Sequence, residues 1–108
     1  MRIEDNLKII KLIDTYGSLL TNRQYEILTS YYFDNLSFSE LGENYNISRQ
    51  AISDSINQSI KALINYEEKL GIIANNNHLI SKLQLIINNC SDKDLSQRLT
   101  HIIEDIRG

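Results

Sequence analysis

Between Ser37 and Leu63 the chain reads SFSELGENYNISRQAISDSINQSIKAL, and its polar residues are of the kinds that hydrogen-bond to nucleic acid. Arg49, Gln50 and Asn57 carry planar groups able to make paired hydrogen bonds with guanine or adenine edges. Lys61 offers a cation for phosphate and Ser53 a hydroxyl that serves either target. On a helix spanning 49–70, Gln50, Asp54, Asn57, Gln58 and Lys61 lie opposite the apolar residues, with Arg49 and Ser53 on the flanks. Ser37, Ser39 and Ser48, like Thr21 and Arg23, fall at expected helix starts, where free amides and positive dipole ends meet phosphate. A solvated polar face without a ligand explains the row equally well. Asp54 weighs toward that plainer reading, because a carboxylate among phosphates is repelled unless it accepts from cytosine.

Two helices and a tight turn would have to position these residues. Ser37 with Glu40 forms a capping box, and Phe38, Leu41 and Tyr45 follow at helical spacing. Asn46 tolerates the left-handed conformation that ends a helix, Ile47 packs into the corner, and Ser48 caps the next helix. There Ala51, Ile52, Ile56, Ile60 and Leu63 form an apolar stripe. Gly42 and Ala51 are small where two steeply crossing helices would approach closely. The pattern is that of a helix-turn-helix, whose second helix can enter a major groove; an ordinary helical hairpin in a bundle is the plainer alternative.

The flanking chain supplies further helices. Ile3, Leu7, Ile10 and Ile13 share one face, widened by Ile9 and Leu12, and Gly17-Ser18 ends it. Thr21 with Gln24 makes a second capping box, opening a helix to about Phe33 with Tyr25, Leu28 and Tyr32 expected inward. Asp34-Asn35-Leu36 turns into the motif. No breaker interrupts its second helix before Gly71, so Arg49 to Leu70 is expected as one rod of about 33 Å. Asn75-Asn76-Asn77 is the expected break before a helix carrying Leu79, Ile80, Leu83, Ile86 and Ile87. Ser91-Asp92 starts a last helix with Leu95, Leu99, Ile102, Ile103 and Ile106. The expectation is an all-α fold of about six helices. Residues 1–72 would form the helix-turn-helix domain, and 73–108 a C-terminal helical segment packed on it or in a dimer interface.

With 108 residues, 42% hydrophobic, 23% charged and no proline, the composition is that of a globular helical protein. No apolar run approaches the roughly 20 residues of a membrane span, and MRIEDNLKII does not read as a signal peptide. The single cysteine, Cys90, excludes an internal disulfide, and the expected location is cytoplasmic. The net charge is −3, and all of it falls in residues 1–72, where seven basic residues face ten acidic ones. Nucleic-acid affinity depends on neutralising phosphate, so an acidic motif-bearing segment argues against tight non-specific binding. Catalysis has little support. His78 and His101 lack metal-pair spacing, Cys90 lacks a Cys-x-x-Cys partner, and there is no glycine-rich phosphate loop. No metal site and no cofactor are expected.

Tyr16, Leu19-Leu20-Thr21, Gln24, Tyr31-Tyr32, Ser37, Glu40-Leu41, Ile47-Ser48-Arg49-Gln50-Ala51-Ile52, Asp54, Ile56, Tyr66-Glu67 and Lys69-Leu70 together resemble the YlxM family. These are small bacterial helix-turn-helix proteins, similar in fold to region four of sigma factors. The likeness covers residues 3–72; beyond residue 75 only a general helical habit is shared. The resemblance implies a regulatory protein. It also implies a link to the signal recognition particle pathway, since the family's genes typically neighbour those of the particle and its receptor. Two departures stand out. Asn57 and Gln58 occupy positions where the family tends to carry basic residues, and Gly42 replaces a more usual alanine, costing about 1 kcal/mol of helix propensity. The expected partners are therefore nucleic acid (DNA ahead of RNA), a signal recognition particle component and a second copy of the chain. Membrane insertion is not expected. The alternative is a module that docks on the targeting machinery without binding DNA.

Overall fold

A computed structural model describes residues 3–108, with side chains from residue 6 onward. The elements are α1 (Ile3–Tyr16), a short 3-10 turn (Gly17–Leu19), α2 (Asn22–Tyr32), α3 (Phe38–Tyr45), α4 (Arg49–Leu70), α5 (Ile72–Asn88) and α6 (Lys93–Arg107). No strand occurs among the described residues, and no helix there is long and apolar enough to cross a membrane. The fold is all-α. The chain divides into two compact units, Met1–Leu70 and Gly71–Gly108.

In the first unit α4 is the central rod, and α1, α2 and α3 all pack against it. Its inward residues Ile52, Ile56 and Leu63 are buried, as the stripe predicts. Ser59 is fully buried as well, in the place nearest to where Ile60 was expected; Ile60 is only half-buried. The Ser59 hydroxyl donates to the Ser55 carbonyl at 2.9 Å, so the small polar side chain enters the core without an unmet donor. The other helices contribute Ile9, Ile13, Tyr16, Ile27, Leu28 and Leu41, and the link before α2 adds Leu20. Leu7, expected on the inner face of α1, is exposed, and the side chain of Ile3 lies outside the described residues.

The inner face of α2 differs from expectation. Ile27 and Leu28 are buried, whereas Tyr25 is exposed and Tyr32 half-buried. Ile27 can be enclosed completely, while a tyrosine prefers to keep its hydroxyl wet, so the helix is rotated to put the aliphatic pair inward. The tyrosines pack at the rim: Tyr31 meets Tyr32 edge-on and lies beside Phe38, both at 5.0 Å between ring centroids. The distal end of α4 is held to α1 by a buried phenol. Tyr16, 1% exposed, donates its hydroxyl to Glu67 Oε1 at 2.5 Å, and its ring lies 6.1 Å from that of Tyr66.

The second unit is a helical hairpin. Gly71, in the left-handed region at φ 62°, separates α4 from α5. The expected break at Asn75-Asn76-Asn77 is absent; these residues lie inside the first turns of α5, and the Asn75 amide donates to the Gly71 carbonyl at 2.9 Å. Asparagine lowers helix propensity by only a few tenths of a kcal/mol per residue relative to average formers, which packing readily outweighs. A glycine with positive φ is the stronger punctuation. Asp92 caps α6, accepting from the Asp94 and Leu95 amides at 3.0 and 3.3 Å.

Candidate nucleic-acid interface

Both capping boxes form. The Ser37 hydroxyl accepts from the Glu40 amide at 3.1 Å while Glu40 Oε1 accepts from the Ser37 amide at 3.2 Å. Thr21 and Gln24 do the same at the start of α2. At the end of α3, Asn46 takes the left-handed conformation (φ 56°, ψ 42°). The Ile47 amide donates to the Gly42 carbonyl at 3.0 Å and the Asn46 amide to the Glu43 carbonyl at 3.4 Å. This pair of reversed bonds is the Schellman ending of a helix. The chain then enters α4 directly, with the Ser48 hydroxyl accepting from the Ala51 amide at 3.0 Å. One left-handed residue and one serine cap thus set the sharp angle between α3 and α4.

A close approach falls at Gly42. Gly42 is buried, and a Cβ built there would stand 2.8 Å from the Ile47 carbonyl oxygen, whereas Ala51 is only half-buried. The tight contact is between α3 and the backbone of the turn, because the Schellman bonds fold Ile47 back over the last turn of α3.

The expected site residues separate into three groups. Gln50, Asn57 and Lys61 are exposed along one side of α4, with exposed Arg49 and half-buried Ser53 flanking them. From Arg49 to Lys61 this side runs about 18 Å at 1.5 Å per residue. Ser39, Ser48 and Arg49 come together around a shallow hollow that Gly42, Asn46 and Ile47 also line. Ser48 accepts from the Ala51 amide, and the amides of Arg49 and Gln50, in the first turn of α4, have no preceding helical turn to supply an acceptor. Ser37 is not part of this group. It lies at the other end of α3, in a hollow with Asn6, Tyr31, Tyr32, Asn35 and Leu36.

Two features modify this surface. Gln50 Nε2 donates to Asp54 Oδ1 at 3.0 Å, so the carboxylate orients the amide and occupies one of its donors. An i,i+4 spacing of Gln and Asp signals such a pair. Glu43 also lines the Ser48–Arg49 hollow, which the linear reading did not anticipate because Glu43 belongs to the preceding helix. Behind the turn, the Arg23 guanidinium lies 5.4 Å from the centroid of the Tyr45 ring, and the Tyr45 hydroxyl donates to Glu26 Oε2 at 3.2 Å. Arg23, expected simply at a helix start, thus bridges α2 to the end of α3. Partial burial raises the Tyr45 phenol above its ordinary pKa, and the Glu26 hydrogen bond and charge add to this, while Arg23 acts in the opposite sense. Among the described residues no cluster of three or more His, Cys, Asp or Glu side chains could hold a metal ion.

An all-α unit with a capped helix, a left-handed turn residue packed back over a buried glycine, and a second capped helix defines a helix-turn-helix protein. The chain belongs to the UPF0122 family, described as "Putative helix-turn-helix protein, YlxM / p13 like", whose model matches residues 3–104. It is 38% identical over 108 residues to a UPF0122 protein of Clostridium novyi (strain NT), covering 97% of this chain and 94% of that one. With a UPF0122 protein of Clostridium acetobutylicum it shares 36% identity over 111 residues, 96% of each chain. One from Desulforamulus reducens is 43% identical over 81 residues, covering 75% of this chain and 69% of that protein. The match extends through α5 and most of α6, beyond the segment where the sequence motifs alone carried the likeness.

Proposed function

We propose that the protein is a cytoplasmic, non-enzymatic regulator that binds nucleic acid through α4 and the turn before it, and that it acts in the signal recognition particle pathway as a homodimer. The observation that carries the nucleic-acid reading is the exposure of Gln50, Asn57 and Lys61 on one side of α4, flanked by Arg49 and presented by a rigid capped turn. Arg49 and Lys61 would contact phosphate or base. Gln50, Ser53 and Asn57 would read edges, and Ser39 and Ser48 would approach the backbone beside the first amides of α4. Ser37 would make a separate backbone contact at the start of α3. DNA suits the helix-turn-helix geometry better than RNA, whose deep major groove excludes side chains. The pathway assignment is supported by the family's gene neighbourhood.

Asp54, held by Gln50, and Glu43 beside Arg49 favour a second reading, in which the same surface docks a protein of the targeting machinery. Salt titration separates the two. Wild-type protein should bind duplex DNA weakly, with a log–log slope near −0.9 per phosphate neutralised, so two or three contacts give a slope of roughly −2 to −3. Arg49→Ala with Lys61→Ala should abolish that binding. Absence of binding to DNA or structured RNA even at about 50 mM salt, where counterion release favours it most, would replace this reading with the docking one. A pull-down with and without nuclease then tests for targeting-particle components.

A further inference from the structure

Gln50 and Asp54 stand one helical turn apart on the exposed side of α4, in the part of that helix next to the motif's turn. In a helix-turn-helix, residues in this first part of the second helix are the ones that reach base edges. Gln50 Nε2 donates to Asp54 Oδ1 at 3.0 Å. An ionised carboxylate has no hydrogen to give and neither has an amide oxygen, so the contact fixes which way the Gln50 amide is turned: nitrogen toward Asp54, Oε1 away from it. Among the described residues no cation forms a salt bridge with Asp54, and its side-chain partner is this amide. As helix support an exposed pair of this spacing contributes little. On a surface that meets phosphate the carboxylate also opposes binding. What it adds there is a fixed amide.

Nε2 carries two N–H groups. With the one remote from Oε1 given to Asp54, the other stands beside Oε1, and the amide offers an acceptor and a donor side by side. Adenine displays the matching pair in the major groove, an N6 donor beside the N7 acceptor. Guanine displays two acceptors there, N7 and O6, so Oε1 would face another oxygen. An unrestrained glutamine escapes that clash by turning its amide and offering both N–H groups; the bond to Asp54 withdraws one of them. Cytosine offers a donor alone, and thymine an acceptor beside a methyl group, so each leaves half of the amide unmet.

We propose that Gln50 reads adenine in the major groove of a DNA duplex, and that Asp54 is the positioning residue that sets this preference by holding the amide; this rests on the nucleic-acid reading of α4 given above. Asp54 itself touches no base. Its charge lowers affinity for every duplex, while its hold on Gln50 raises the discrimination between adenine and guanine at one position. In the free protein water competes for both partners of the 3.0 Å bond, and a groove that excludes water strengthens it. A paired contact of this kind discriminates against the wrong base by roughly 5- to 150-fold.

The full chain at about 50 mM salt, offered a duplex pool randomised over about two helical turns, should select sites with an adenine at one position that Gln50→Ala no longer selects. In the selected duplex, changing that adenine to guanine should weaken wild-type binding roughly 5- to 150-fold and Gln50→Ala binding by less than about threefold. An adenine analogue with carbon in place of N7 should weaken wild type at least about fivefold. Asp54→Ala puts a strong helix former at an exposed position, so the fold is kept. It should tighten binding to both duplexes while cutting the adenine-over-guanine ratio at least about threefold. Tighter binding to both with an unchanged ratio would mean that Asp54 only repels phosphate, and would overturn its role. A cytosine preference that Asp54→Ala removes and Gln50→Ala leaves would also overturn the assignment, since the carboxylate would then read the base itself. Selected sites with no position that depends on Gln50 overturn the adenine reading and leave α4 as a nucleic-acid surface. Failure to bind any duplex removes that surface, and this inference with it.

Discussion

Replacing Gly42 with alanine sets two effects of opposite sign against each other. Within a helix interior, alanine is favoured over glycine by about 1 kcal/mol, so propensity alone predicts a more stable protein. The structure opposes this. The new Cβ would stand 2.8 Å from the Ile47 carbonyl oxygen, whereas weak carbon–oxygen contacts settle at about 3.3–3.6 Å. The shortfall is about half an ångström or more, and the obstructing atom is backbone. Ile47 cannot swing aside freely, since its amide is bonded to the Gly42 carbonyl at 3.0 Å and Asn46 before it is in the left-handed region. Relief requires loosening the Schellman turn, at roughly 0.5–1.5 kcal/mol for each hydrogen bond weakened, or tolerating overpacking worth about 1–3 kcal/mol. Set against the propensity gain, the net expectation is a loss of about 1 kcal/mol. For a unit of this size that lowers the thermal midpoint by roughly 4–8 °C. Thermal and urea unfolding followed by circular dichroism measure it. A midpoint equal to or above wild type would refute the reasoning and show that the turn relaxes at no cost.

Tyr16→Phe removes the hydroxyl that reaches Glu67 from a residue only 1% exposed, joining α1 to the distal half of α4. A loss of about 1.5–3 kcal/mol is expected, as for other hydrogen bonds to charged groups, read as a lower urea midpoint at unchanged slope; an unchanged midpoint would mean that water replaces the bond. Alkaline pH should also destabilise the protein. The Tyr32 phenol is raised by burial and then by Tyr31, and the Tyr45 phenol by partial burial and then Glu26. The folded state therefore holds these protons more tightly than the unfolded chain. Their contribution is fully present below the unfolded pKa of about 10 and is lost as pH rises through the folded values. Thermal midpoints should show no tyrosine-linked change between pH 7 and 9 and fall above 10; a rise there would contradict the assigned direction.

The local signals of the sequence determined the motif. Both capping boxes, the left-handed Asn46, the Ser48 cap and the unbroken Arg49–Leu70 rod are legible because each depends on groups a few residues apart. The polar row on α4 is legible for the same reason, since helical period alone puts Gln50, Asn57 and Lys61 on one side. Tertiary packing decided what periodicity leaves open. It turned Ile27 inward instead of Tyr25, admitted Ser59 where an isoleucine was expected, and placed a close approach at Gly42. It also carried α5 through three asparagines whose individual propensity cost is smaller than the packing gained. The meeting of Ser39, Glu43 and Arg49 in one hollow belongs to the same class. Hydrogen bonds that close a turn are written in neighbouring residues, whereas which face is buried depends on surfaces that only the folded chain brings together.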